Sequence, residues 1–143
     1  MTKLLAFFGI ACYVLLAAGS LAAHHGDAGR YVEELTLLTG TVVEVQFVNP
    51  HASIVLDVND PSGKVQRWRA EMASANNLLH QIGWTKTTLK AGDKITVIGR
   101  RLKSGVPYIN LTEMAKIVMT DTGKEIFHTN NALPGLSLTP AAH

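Results

Sequence analysis

Two adjacent histidines, His24 and His25, follow an apolar N-terminal run and are the residues best suited to chemistry in this chain. Cleavage after Ala23 makes His24 the first residue, and its amine and imidazole can then chelate one metal ion. Cleavage after Ala22 instead lets the amine, two backbone amides and the His25 ring form a square-planar set. Neutral imidazole is the commonest metal ligand, and Cu(II) prefers a tetragonal arrangement of nitrogen donors. The pattern therefore predicts a copper-type site at the processed N-terminus.

A third histidine, His51, is the natural additional donor when His24 is the first residue. It follows Asn49-Pro50, and proline interrupts a strand because it lacks the N–H donor and fixes φ. We expect His51 at a corner to which an N-terminal arm can return. The metal-free alternative stays open. In it, the paired histidines are a soluble spacer, Asn49 hydrogen-bonds the turn, and His51 caps strand backbone.

The remaining histidines and acids suggest no catalytic site. His80 is expected near the C-terminal end of a helix, where a cation favours the helix dipole, and His128 and His143 are assigned no role. Glu71 and Glu113 are expected as single acids within strands, on a solvated face or in a salt bridge. The chain has no nucleophile elbow and no phosphate-binding glycine loop. We predict a protein that is not an enzyme.

The first 23 residues have the layout of a secretory signal peptide. Lys3 is followed by the apolar run Leu4–Ala18 and the small residues Ser20–Ala23. The run is shorter than the roughly 20 residues that span a membrane. Cys12, the single cysteine, lies inside it, so the mature chain has no disulfide, zinc-thiolate site or cysteine nucleophile. We expect export to a bacterial periplasm, with no stable membrane anchor after processing.

The mature chain is nearly neutral, which argues against a polyanionic partner. Without residues 1–23 it has 120 residues, enough for one domain, with 12 basic and 11 acidic side chains. Single-strand nucleic-acid binding needs a basic groove with exposed aromatic rings. Arg67 and Arg69 flank Trp68, but alternation places Trp68 on the opposite, apolar face. We therefore expect no nucleic-acid partner.

The rest of the chain has the alternation typical of β-strands, interrupted by turn residues and one helical segment. In the first strand, Val43, Val45 and Phe47 are predicted to face the core. The predicted strands are Thr39–Val48, His51–Val58, Val65–Met72, Lys94–Gly99 and Val106–Met119, with a last short hairpin onto Glu125–His128. The predicted helix is Ala75–Ile82, with Ser74 as N-cap, Gly83 as C-cap and a buried stripe of Leu78, Leu79 and Ile82.

The predicted order is three strands, a short helix and two more strands. This order predicts a mainly β fold, in the form of a five-stranded OB-like Greek-key barrel with the helix between strands 3 and 4. The competing architecture is a small open sheet or sandwich. The predicted organisation is a signal peptide (1–23), a flexible N-terminal arm (24–34), the barrel (35–128) and a disordered tail (129–143).

Several short motifs resemble a family of small exported bacterial proteins, domain of unknown function family 6152. They are Ala23-His24-His25, Thr39-Gly40-Thr41-Val42, Asn49-Pro50-His51-Ala52, Trp68, Gly83-Trp84 and Gly92-Asp93. The resemblance spans roughly Ala23–Arg100. The chain departs from it at Gly26, where serine is common, and fits loosely over Asp27–Leu38. The resemblance implies an exported location and this fold, but it implies no activity.

Together these features predict an exported periplasmic binding module. The favoured role is capture or handling of a copper ion by His24 and His25, with His51 as an added donor. The alternative is a metal-free domain of the cell envelope, in which the barrel face or an exposed strand edge binds a periplasmic protein or a small ligand.

Overall fold

A computed structural model of the chain describes residues 29–129. The predicted signal peptide, both N-terminal histidines and residues 130–143 of the predicted tail lie outside this range. The chain divides into two units, Met1–Tyr31 and Val32–His143. The first contributes only residues 29–31 to the description, where the Arg30 guanidinium carbon lies 5.8 Å from the centroid of the Tyr31 ring. Every element below belongs to the second.

Residues 29–129 contain seven strands and one helix. In chain order they are β1 (Thr36–Gln46), β2 (Ser53–Asn59), β3 (Val65–Glu71), α1 (Ala75–Ile82), β4 (Lys94–Arg101), β5 (Tyr108–Asn110), β6 (Lys116–Met119) and β7 (Glu125–His128). Within the described range, no helix has the length and apolar character needed to cross a bilayer.

The strands close into a five-stranded barrel of the predicted OB-like type. β1 pairs antiparallel with both β2 and β4, and β2 pairs antiparallel with β3. β5 completes the ring because it runs parallel to β3 and antiparallel to β4. The helix follows β3 and precedes β4, as predicted. β6 continues along β4, and β7 pairs with β6.

A β-bulge in β1 corrects one prediction about the core. The pairing of β1 with β2 shifts between Val42 and Glu44, which leaves Val43 as the extra residue. Val42 is therefore the fully buried side chain, while Val43 is only partly buried. Beyond the bulge the alternation resumes in a new phase, and Val45 and Phe47 pack against the core as predicted. An inserted residue moves all later side chains to the opposite face, which a strict period of two does not anticipate.

Branched side chains of β1, β2, β4 and β5 fill most of the barrel interior, and β3 contributes Ala70. The predicted face of β2 is buried, and β4 and β5 supply the facing layer. The largest fully buried side chains include Ile54, Leu56, Met72, Ile95, Ile109, Leu111 and Ile117. Gly99 lies where β4 crosses close to β5, and a Cβ there would clash with the Asn110 carbonyl oxygen. Burial of these apolar side chains is the main force holding the barrel together.

Helix α1 has the predicted ends but not the predicted buried stripe. The Ser74 side chain accepts a hydrogen bond from the Asn77 N–H, and Gly83 ends the helix with a left-handed φ of 72°. Leu78 is 3% exposed, whereas Leu79 and Ile82 are each 44% exposed. The expectation that all three are buried was wrong. This two-turn helix buries only Ala75 and Leu78, which lie three residues apart on one line.

The predicted fifth strand is divided into β5 and β6 by an irregular segment, residues 111–115. Met114 in this segment has a positive φ of 49°. Leu111 and Ala115 remain fully buried, so the segment bends the chain while keeping it on the barrel. Glu113 is an exposed residue of this bend and not, as expected, a strand residue.

The last strand, β7, joins the core through aromatic contacts. The Trp84 indole N–H donates to the Ile126 carbonyl at 2.9 Å, and its ring meets Phe127 edge-on at a centroid distance of 5.9 Å. Thr129, the first residue of the predicted tail, donates its N–H to the Ala115 carbonyl at 3.0 Å. Its hydroxyl oxygen accepts from the Ala115 N–H at 2.9 Å.

The neighbouring residues Leu78 and Leu79 give a matched test of how helix α1 packs against the barrel. Leu78→Ala is expected to lower the free energy of unfolding by about 2–5 kcal/mol, because it leaves a cavity in the core. Leu79→Ala has the same chemistry at an exposed position and should cost less than about 1 kcal/mol. Urea unfolding followed by circular dichroism measures both. Equal losses would contradict the assigned helix orientation.

Candidate functional site

The corner between β1 and β2 is tied to the start of helix α1. The first N–H groups of a helix have no partner within it. Here the Ala75 N–H donates to the Val48 carbonyl at 3.2 Å, and the Asn76 N–H donates to Asn49 Oδ1 at 3.2 Å. Asn49 therefore bonds the helix and not its own turn. The Asn49-Pro50 peptide bond at this corner is cis.

His51 follows this corner, and its ring lies beside the Glu71 carboxylate of β3, a pair that is ionic only when the ring is protonated. The distance between His51 Nδ1 and Glu71 Oε1 is 3.1 Å, and the two side chains are 56% and 23% exposed. Within residues 29–129, the His51 ring has no hydrogen bond, and the Glu71 carboxylate is its polar neighbour. The backbone-capping role weighed for His51 is thus replaced by a side-chain contact. The salt-bridge expectation for Glu71 is confirmed.

Backbone hydrogen bonds fix the two chain segments that carry this pair. Next to His51, the Ala52 N–H donates to the Ala73 carbonyl at 3.1 Å, and the Met72 N–H donates to the Ala52 carbonyl at 2.9 Å. Glu71 is opposite Ser53 in β2, and its carbonyl accepts from the Leu111 N–H at 2.8 Å. β2 itself begins at Ser53, two residues after the predicted start at His51.

Of the three predicted metal ligands, only His51 lies in the described range. His24 and His25 lie outside it. Residues 29–129 contain no group of three His, Cys, Asp or Glu side chains placed to hold a metal ion. His80 is exposed in the last turn of α1, as expected.

A second histidine–carboxylate pair was not anticipated from the sequence. His128 Nδ1 lies 2.7 Å from Glu125 Oε1, and Lys116 Nζ lies 2.8 Å from Glu125 Oε2. The hydrogen bond from Lys116 holds the pKa of the Glu125 carboxyl below its usual value, and the bond from His128 lowers this pKa further. The turn at 121–124 was the available signal, since the hairpin it forms brings β7 beside Lys116.

The arginines of β3 are engaged on the outer face of the barrel. Arg67 contacts both carboxylate oxygens of Asp57, at 2.9 and 3.0 Å, and its hydrogen bonds lower the pKa of the Asp57 carboxyl. Arg69 donates to Gln46 Oε1 at 3.4 Å. Trp68 packs against the core from the opposite face, as alternation predicted. Its indole N–H donates to Gln66 Oε1 at 3.0 Å.

A groove of about 560 Å³ lies at the helix end of the barrel. Helix α1 contributes Leu78, Gln81 and Ile82 to one wall, and residues 111–112 and 127–129 contribute to the others. Its lining is mainly apolar, with the side chains of Gln81, Thr112, His128 and Thr129 adding polar atoms. Ligand sites commonly have this size and mixture of surfaces.

The sequence matches the family of unknown function DUF6152 over residues 12–108. The chain belongs to this family. The match includes His24, His25 and His51 and extends through the first residue of β5. It confirms the family indicated by the sequence motifs and assigns no activity. Comparison with curated proteins found no match.

The Glu125 cluster predicts a pH-dependent contribution to stability. Because the pKa of Glu125 is lowered in the folded state, its ionised form stabilises the fold at pH values above its unfolded value of about 4.5. The contribution is lost as the pH falls through the folded pKa. Glu125→Gln should therefore cost up to about 1 kcal/mol near pH 7, a small value because the pair is partly solvated. This cost should vanish in acid.

Urea unfolding at a series of pH values measures this difference. Asp121→Asn, which removes an exposed acid from the adjoining turn, is the control. A cost of Glu125→Gln that grows toward acid would contradict the assignment.

Proposed function

We propose that the protein is an exported binding module of the cell envelope that captures or handles a copper ion. The donors are His24 and His25 at the processed N-terminus, with His51 as an added donor. The observation that carries the proposal is the state of His51: its side chain is 56% exposed and its Nδ1 atom is held by Glu71 at 3.1 Å. An exposed imidazole with a carboxylate beside one of its nitrogens is an arrangement common among protein metal ligands.

The chemistry of the donors favours copper over harder cations. Amine, imidazole and deprotonated amide are nitrogen ligands, and Cu(II) binds such sets most tightly among divalent first-row metals. A protein without a cysteine in its mature part offers no thiolate to compete for the ion. The processed N-terminus supplies at least two nitrogen donors, and His51 supplies one more.

Calorimetry with Cu(II) on protein of verified N-terminal mass tests this proposal. For cleavage after Ala23, His24→Ala should weaken binding at least tenfold, equivalent to about 1.4 kcal/mol. For cleavage after Ala22, His25→Ala should do so. In the form that begins at His24, His51→Ala should also weaken binding. His80→Ala removes an exposed helix histidine and should leave the affinity unchanged.

A species with one extra residue before the native N-terminus is the control for the amine. Unchanged affinity in that species would exclude the native amine as a ligand. The proposal fails if His24→Ala and His25→Ala both leave the affinity unchanged. It also fails if the exported protein retains its leader or is cleaved beyond His25.

A second candidate function is binding of a small apolar ligand, which the groove beside α1 favours. Ile82 is 44% exposed and lines the groove, whereas Leu79 is equally exposed but does not line it. A hydrophobic dye such as anilinonaphthalene sulfonate should bind in a saturable way. Ile82→Lys should abolish that binding and Leu79→Lys should not. Equal responses of the two variants would exclude the groove.

A further inference from the structure

We infer that a cleft in the barrel wall beside Trp68 binds one ring of a saccharide. The cleft has a volume of about 400 Å³ and lies between the start of β1 and the hairpin that joins β2 to β3. It shares no lining residue with the groove beside α1, and His51 does not line it. This site is therefore separate from those of both functions proposed above.

The cleft exists because β1 changes its partner along its length. Thr36–Thr41 pair with β4, whereas pairing with β2 begins only at Gly40, which is opposite Val58. Within residues 29–129, the first residues of β1 therefore have no strand partner on the side of β2. The wall of the barrel opens between these residues and the end of β2.

Trp68 gives this opening an apolar surface. It is opposite the fully buried Leu56 in β2, so its side chain belongs to the inner face of the barrel, where it packs against the core. The ring is only partly buried because it also lines the cleft. Its indole N–H donates to Gln66 Oε1 at 3.0 Å, which restrains the ring. The apolar C–H face of a sugar can pack on an aromatic ring held in this way.

Uncharged amide groups lie around this ring. The amide oxygen of Gln66 accepts from Trp68, while its amide nitrogen has no partner in the part of the chain that the structure describes. The exposed Asn59 amide at the end of β2 likewise has no partner there. Each amide nitrogen can donate two hydrogen bonds, and the Asn59 oxygen can accept. A sugar hydroxyl both donates and accepts, whereas an apolar ligand would leave these groups unpaired at a cost in free energy.

The charge of the cleft disfavours anionic ligands. Asp60 lines it, and Asp60 Oδ1 accepts from the Ser62 hydroxyl at 2.6 Å and from the Lys64 N–H at 2.9 Å. These bonds hold the pKa of the Asp60 carboxyl below its usual value, so the group is ionised at neutral pH. Among the described residues, no Lys or Arg lines the cleft, and the neighbouring Arg67 is paired with Asp57. A nucleotide would bring its phosphate to a negative rim, but a neutral saccharide would not.

The two tryptophans allow a direct test by nuclear magnetic resonance. Trp68 lines the cleft, whereas Trp84 is 5% exposed and donates its indole N–H to the Ile126 carbonyl. The mature protein is titrated with glucose, N-acetylglucosamine and cellobiose at millimolar concentrations. At least one of them should shift the Trp68 indole signal in a saturable way, while the Trp84 signal stays in place as the internal control. No saturable shift with any of the three would overturn the inference.

Two further probes separate the classes of ligand. Cyclohexanol has a six-membered ring with a single hydroxyl, and adenosine monophosphate has a flat base and a phosphate. Both should shift the Trp68 signal only at higher concentrations than the saccharide does. An equal or stronger affinity for cyclohexanol would assign the cleft to apolar ligands, and an equal or stronger affinity for adenosine monophosphate would assign it to nucleotides. Either result would overturn the inference.

Variants of the cleft give the expected magnitudes, measured by the same titration through backbone amide signals. Asn59→Ala and Gln66→Ala, both at exposed positions, should each weaken saccharide binding about 2- to 12-fold, the usual effect of losing a neutral hydrogen bond. Trp68→Ala should weaken it at least about tenfold, because the apolar surface is lost. Gln81→Ala removes an exposed glutamine outside the cleft and should leave the affinity unchanged.

The amide spectrum of each variant reports whether it remains folded. Trp68 also packs against the core, so Asn59→Ala and Gln66→Ala decide the outcome if Trp68→Ala is unfolded. Saccharide affinities of these two variants equal to that of the unaltered protein would overturn the inference. A loss in Gln81→Ala as large as theirs would also overturn it.

Discussion

Closure of the barrel depends on one strand, β1, which hydrogen-bonds to two neighbours along its length. Its first half, Thr36–Thr41, pairs with β4, and its second half, from Gly40, pairs with β2. A strand that serves two neighbours must bend, and the bulge at Val43 adds the local twist that permits it. The side chains of Leu38 and Val42 pack in the core before the bulge, and Val45 does so after it. The layers of the core therefore depend on this single inserted residue.

The same strand ends at the corner that carries His51. Residues 48–49 satisfy two of the first N–H groups of α1, and Ser74 satisfies a third. The helix thereby takes its backbone partners from the β1–β2 connection as well as from its own cap. The position of His51 is set from both sides, by this corner and by the backbone bonds of Ala52. Its contact with Glu71 is a consequence of the fold rather than of a flexible surface encounter.

Local patterns predicted most of the fold, because they have local causes. Alternation identified β2 and β3. The helix begins after Ser74, whose side-chain oxygen accepts a hydrogen bond from the first turn, and it ends at Gly83, which adopts the left-handed conformation. Both effects act within a few residues. The bulge carries no such signal, because Val42 and Val43 are the same residue type. The number of buried residues on helix α1 was overestimated for another reason. Periodicity gives the spacing of apolar residues, but it does not say how much of a short helix contacts the barrel.

The candidate site depended on register. His51 and Glu71 are 20 residues apart, and their contact follows from pairing β2 with β3 through the turn at 60–64, where Asn59 is opposite Val65. Counting back from that pair places Ser53 opposite Glu71, so the turn residues contained the information. The identity of His51 as a candidate donor came from its residue type alone. Its carboxylate partner required the sheet.

The contacts of β7 determine how far the C-terminus of a folded fragment must extend. The stretch recognised as the family ends at Tyr108, but Ile109, Leu111 and Ile117 occupy the interior beyond it. The carbonyl that accepts the Trp84 indole N–H belongs to Ile126. A recombinant fragment trimmed to the family boundaries would lack one wall of its own interior. The C-terminal boundary for producing this domain therefore lies no earlier than Thr129, whose two bonds to Ala115 complete the last strand pairing.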